Sequence, residues 1–93
     1  MALPVAFKDE LVARSDIVDV VSDYVTLTPK GGSFWGLCPF HGEKTPSFHV
    51  LPDRQLYHCC GCGKGGGVIS FVMDVENLPY IDAVRLLAKR AGM

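Results

Sequence analysis

Cys38 and His41 are separated by two residues, and after seventeen further residues (42–58) Cys59 and Cys62 repeat that interval, so the pattern is C-x2-H-x17-C-x2-C. Two such pairs, each on a tight turn, can present four donors tetrahedrally. A mixed thiolate and imidazole set suits Zn²⁺, which imposes no d-electron geometry of its own. Pro39 stiffens the first turn, and Gly61 and Gly63 are expected to supply the positive φ angles of the second. Cys60 stands in a C-x-C relation to Cys62 rather than C-x2-C, so it reads as a small packing residue with a free thiol. His49 and His58 read as strand-surface or hairpin-facing residues rather than ligands.

Other chemistries use parts of the same pattern. His41-Gly42-Glu43 followed by Cys59-x-x-Cys62 is superficially similar to the zinc nucleobase deaminases, whose three protein ligands leave a fourth position to water. Here Cys38 can occupy that position, and no proline precedes Cys59. A closed site cannot activate water, so the zinc reads as structural, with a folding contribution that reaches about 10–16 kcal/mol in zinc-finger peptides. Redox use of Cys59 and Cys62 would need a thioredoxin-like context, which the flanking residues do not provide.

The elements that must position these ligands fall into three stretches of one domain spanning 1–93: helical over 1–25, a zinc ribbon over 26–67, and helical over 68–93. Val5 to Arg14 is weakly amphipathic. Ser15 or Asp16 can cap a second short helix carrying Ile17, Val20, Val21 and Tyr24 on one stripe. Val25 to Thr28 is β-prone, and Gly31-Gly32 marks a turn into Ser33 to Leu37. The alternating runs Ser47 to Val50 and Gln55 to Cys59 flank Pro52-Asp53 and predict a hairpin. Gly61 to Gly67 holds five glycines and predicts irregular chain. Val68 to Glu76 is apolar nearly all round, as a helix buried between layers should be. After Pro79, the stripe of Tyr80, Ala83, Val84, Leu87, Ala88 and Ala91 ends at Gly92, a natural helix stop. The expected fold is α+β: a zinc ribbon with a small antiparallel sheet flanked by N- and C-terminal helices.

Composition sets the outer limits. The 93 residues suit one domain, and 48% hydrophobic with 20% charged residues excludes a disordered chain. No apolar run approaches the ~18–20 residues of a membrane span. The N-terminus lacks the basic region of a signal peptide, so a cytoplasmic protein is expected, in which clustered cysteines favour a metal over disulfides.

The residues around the ligands carry a family resemblance. Gly36-Leu37-Cys38-Pro39-Phe40-His41-Gly42-Glu43-Lys44-Thr45-Pro46-Ser47-Phe48 and Tyr57-His58-Cys59-Cys60-Gly61-Cys62-Gly63-Lys64-Gly65-Gly66 strongly resemble the zinc-binding segment of bacterial-type DNA primases. The helical stretches Arg14 to Val21, Val68 to Met73 and Ala83 to Ala88 match the same family. Cys60 departs from it, standing where an aromatic residue is usual; Gly67 replaces the common Asp or Asn, and Pro79 a capping Ser. The resemblance implies a domain that engages single-stranded template and helps choose where an RNA primer starts during DNA replication. It also implies partnership with a primase polymerase domain in cis or in trans, and with the replicative helicase indirectly through the full-length protein. The polymerase site of that family lies in a separate domain, so this chain alone is expected to be catalytically inactive.

Charge and aromatic content are compatible with that role. The net charge of −1 announces no global basic field, but Lys30, Lys44, Arg54 and Lys64 outnumber Glu43 and Asp53 within the ribbon, while the helical stretches are acidic. Phe34, Trp35, Phe40, Phe48 and Tyr57 interleave with these cations, the combination that single-strand binding uses: bases stack on rings and phosphates pair with Lys or Arg. Phe40 and Phe48 read as core fillers, leaving Lys30, Phe34, Trp35, Lys44, Arg54, Tyr57 and Lys64 as candidate nucleic-acid contacts. The same cations serve equally as solvating charge, and a protein-docking zinc module using the acidic helices is the alternative reading.

Overall fold

The computed structural model describes residues 4–40 and 47–93. Helix α1 (Val5–Arg14) is followed by the short α2 (Ile17–Ser22). Five strands come next: β1 (Thr28–Lys30), β2 (Ser33–Gly36), β3 (Phe48–Leu51), β4 (Leu56–Cys59) and β5 (Gly65–Gly66). The chain closes with α3 (Val68–Glu76) and α4 (Tyr80–Ala91). The expected α+β architecture is therefore present.

The strands form an antiparallel meander in sequence order. Pro29 fits because β1 is an edge strand, where a missing backbone donor need not break a ladder. The glycine run after Cys62 is not wholly irregular: Gly65 and Gly66 pair with His58 and Tyr57 as β5. Pairing is a tertiary gain that a glycine-rich stretch does not advertise.

Strand alternation divides the sheet into two faces. Val50 lies opposite Tyr57, and Phe48 opposite Cys59; all four are buried on the side covered by the helices. There α3 contributes Val68, Ile69, Phe71 and Val72, and α2 and α4 close the core with Ile17, Val20, Val21, Ala83, Val84 and Leu87. Thus α3 lies between sheet and outer helices, as its nearly continuous apolar surface requires. The other face carries the cross-strand row Thr28, Trp35, His49 and His58, none of them buried.

Two links fix the sheet relative to the helices. Asp16 caps α2 by accepting from the Asp19 backbone N–H at 3.2 Å. Gln55, in the turn between β3 and β4, adds a second cap: its Oε1 accepts from the Ile17 N–H, and its Nε2 donates to Asp16, each at 2.9 Å. Gln55 does this from a left-handed backbone with φ 54°, a conformation costly for a residue with a Cβ and held here by those hydrogen bonds.

The second link is a close approach. A Cβ at Gly36 would stand 2.7 Å from the Thr26 carbonyl oxygen and 2.8 Å from a Val25 methyl carbon. Only glycine lets residues 25–27 lie against β2 immediately before Cys38. Gly36→Ala should therefore destabilise the zinc-loaded protein by about 1–3 kcal/mol, read as a lowered urea midpoint.

Candidate metal centre

The sulfurs of Cys38, Cys59 and Cys62 converge at the end of the sheet away from the β3–β4 turn, with the three Sγ atoms within 4.8 Å of one another. Cys38 follows β2, Cys59 ends β4, and Cys62 sits on the loop that returns to β5. The loop is shaped by backbone bonds: the Gly63 N–H donates to the Cys59 carbonyl at 2.8 Å, and the Cys59 N–H to the Lys64 carbonyl at 2.8 Å. Gly63 has the expected positive φ, 77°, whereas Gly61 does not, so one left-handed residue suffices to close the turn.

The sulfur spacing fits a metal. Cys38 Sγ and Cys62 Sγ lie 3.8 Å apart. Two thiolates bound at ~2.3 Å and at the tetrahedral angle would stand about 3.8 Å apart. No disulfide joins any of the cysteines among the described residues. The Phe40 backbone N–H points at Cys38 Sγ at 3.4 Å, and the Ser47 hydroxyl lies 3.6 Å from Cys59 Sγ, contacts that stabilise negative sulfur. Burial pushes the Cys59 thiol up. The Ser47 hydroxyl, the Cys62 backbone, Cys38 and the Gly61 backbone outweigh that and bring it to about 7, below its ordinary 9.0. His41 lies outside the described residues, as does Lys44.

Beneath the sulfurs lies an aromatic floor. Phe71 of α3 packs edge-on to Tyr57 with ring centroids 5.3 Å apart, and Phe48 and Phe40 complete the cluster at 6.0 and 5.9 Å from Phe71. The Tyr57 hydroxyl donates to Asp74 on α3 at 3.0 Å; burial first, then that bond, pushes its pKa up. Tyr57 is 1% exposed, so its ring cannot stack a base. That corrects its reading as a nucleic-acid contact. The signal was present in sequence, because Tyr57 is two residues before Cys59 on one strand and must share its covered face.

The remaining candidates separate in space. Trp35 is half-exposed on the open face, and with Lys30, Thr26, Thr28, Gly36 and Leu37 it lines a groove of about 520 Å³. Phe34 points the other way, partly buried against the core. Arg54 is exposed at the far end of the sheet, beside the Gly31-Gly32 turn. Lys64 sits at the metal end, its Nζ 5.7 Å above the Phe40 ring. Cys60 is exposed, which corrects its reading as a packing residue, because it continues β4 with its side chain on the face opposite Cys59.

A sulfur triad gathered at the end of a short antiparallel sheet defines a zinc ribbon. Comparison with known proteins narrows this. The chain matches the CHC2 zinc finger family over residues 3–93, and it belongs to that family. It is 54% identical over 78 residues to the DNA primase of Geobacillus stearothermophilus, covering 84% of this chain and 13% of that protein. With the DNA primase of Pseudomonas putida it shares 54% identity over 91 residues, 98% of this chain and 14% of the relative. The crystal structure of the Aquifex aeolicus primase, comprising zinc-binding and RNA polymerase domains, superposes with a TM-score of 0.86 at 48% identity, over 90% of this chain and 21% of that one. The chain is thus a primase-type zinc-binding domain with a structural zinc, and spans about one seventh of the length of these curated relatives.

Removing a ligand discards most of the metal's contribution to folding. Cys38→Ala, Cys59→Ala and Cys62→Ala should each lose zinc by elemental analysis and lose ordered structure by circular dichroism, whereas Cys60→Ser should keep both. Because the Cys59 pKa is depressed, its thiolate is favoured above about pH 7 and a proton competes with the metal below it. Zinc retention against a fixed chelator concentration should accordingly fall as pH drops through 7.

Proposed function

We propose that this domain binds the single-stranded DNA template of a primase and helps select the start site of RNA primer synthesis. Cys38, His41, Cys59 and Cys62 hold one structural zinc, and no residue of the domain adds nucleotides. The zinc supplies rigidity rather than reactivity: Cys38 beside Cys59 and Cys62 takes the place that a hydrolytic site leaves to water. The polymerase domain acts with it in cis or in trans, in the bacterial cytoplasm. Contact with the replicative helicase runs through the remainder of the protein. The single domain spans 1–93.

The observation that carries this reading is Trp35, half-exposed in a groove with Lys30 and threonine hydroxyls. An aromatic platform beside a cation accepts a base and its phosphate without demanding a particular sequence. Relatives named DNA primases, and a neighbour in which a zinc-binding domain accompanies an RNA polymerase domain, supply the context. Lys30, Trp35, Lys44, Arg54 and Lys64 are the proposed contacts; Phe34, packed against the core on the opposite face, and buried Tyr57 are not among them.

Single-stranded DNA should perturb Trp35 fluorescence, more strongly at low salt than at high salt because each phosphate neutralised by a Lys or Arg releases a counterion, which added salt opposes. Trp35→Ala should weaken binding about five- to 150-fold, the loss of one stacked base worth about 1–3 kcal/mol, measured by fluorescence anisotropy of labelled DNA. Tyr57→Phe should leave affinity unchanged. Zinc-loaded protein that binds no single strand at low salt would overturn the proposal.

A further inference from the structure

The sheet end that carries Cys59 has a second set of metal-ligating side chains on its opposite face. His49, His58 and Cys60 each place a donor atom within 4.8 Å of the other two. The register explains the cluster. His49 lies directly opposite His58 across β3 and β4, with ring centroids 5.5 Å apart. Cys60 lies two residues beyond His58, and its N–H still bonds to the Ser47 carbonyl at 3.0 Å, so the ladder continues and Cys60 shares the face of His58. Cys60 Sγ stands 4.0 Å from His58 Nδ1.

From this geometry we propose that His49, His58 and Cys60 form a second site for a late first-row divalent cation, Zn²⁺ above all. Two imidazoles and a thiolate are a borderline-soft N₂S set of the kind such ions take. Bond lengths of ~2.0–2.3 Å place tetrahedral donors about 3.3–3.8 Å apart, so donors that now lie within 4.8 Å of one another need to close by no more than about 1.5 Å, a movement within reach of side-chain rotation. Two of the three residues, His58 and Cys60, are exposed and able to make it.

The site is also built at its edges. The His49 ring is held by Trp35, stacked on it at 4.5 Å with planes 26° apart. Its Nδ1 is buried without a hydrogen-bond partner, the sole such side-chain atom among the described residues. On the far side Gly65 makes room for the His58 ring: a Cβ there would stand 3.3 Å from His58 Cδ2. With donors from one side only, the cation keeps a coordination position toward solvent, beside Trp35. Such a site is weaker than the first and fills after it. Its ligands are distinct from Cys38, Cys59 and Cys62, because adjacent residues of β4 project to opposite faces.

The test uses protein carrying one equivalent of tightly held zinc, titrated with Co²⁺ while a chromophoric chelator reports any zinc released. One further equivalent should bind without zinc release, with a sulfur-to-cobalt charge-transfer band and quenching of Trp35 fluorescence through the stacked His49. Cys60→Ser should abolish the band, and His49→Ala should weaken the second equivalent at least tenfold; both variants should retain the first zinc by elemental analysis. A single ion per chain at saturation would overturn the proposal. So would a band that grows only in step with released zinc, or a second ion held equally well by both variants.

Discussion

Three sulfurs must meet at the end of a sheet whose interior strands are only four residues long, and that requirement organises the rest of the domain. Thiolates brought together repel one another, and a chain of this size cannot offset the repulsion with a large core. An ion that satisfies all three reverses the sign of the interaction and, in small zinc modules, contributes on the order of 10 kcal/mol to folding. The surrounding structure supplies what the ion alone cannot. The aromatic floor of Phe40, Phe48, Tyr57 and Phe71 fixes the strands from below, and the N–H of Phe40 and the hydroxyl of Ser47 reach the sulfurs themselves.

The helices secure this floor rather than approach the metal. Phe71 brings α3 against the rings, Tyr57 returns a hydrogen bond to Asp74, and Tyr24 of the α2 end bonds Glu76 at 2.8 Å. Burial first, and then Glu76, push the Tyr24 pKa to about 12, so its hydroxyl stays a donor at any physiological pH. The Arg90–Asp23 pair at 3.1 Å joins α4 to the same corner, but it is largely exposed and worth little beside the packing it accompanies. Apolar contact decides the arrangement, and the polar links select among its registers.

Much of this was legible in the order of residues. The bounds of α1 and α3 follow from periodicity, and the stop of α4 from Gly92 in a left-handed conformation. The sulfur triad follows from spacing alone. Features that escaped the reading depend on partners distant in sequence. Nothing local to Gln55 announces a cap on a helix 38 residues away, nor does a glycine run announce β5. Tyr57 differs in kind, because what governs it is local. Its type favoured exposure, but strand alternation tied it to buried Cys59, and on a thin sheet covered on one side alternation wins.

The same alternation separates the functions of the sheet. Each strand end must serve two faces, and in β4 adjacent positions go different ways: Tyr57 and Cys59 inward to the rings and the sulfurs, His58 outward beside His49 and Trp35. Cys60 continues outward because its backbone is still in the ladder with Ser47. A helix could not achieve this with neighbours, since its faces repeat every three or four residues. The sheet therefore gathers its sulfurs on the covered side and leaves Trp35, the groove it lines with Lys30, and the outward histidines on the other. The rigidity conferred on one face is transmitted to the other through a single layer of backbone, with no intervening loop to absorb it.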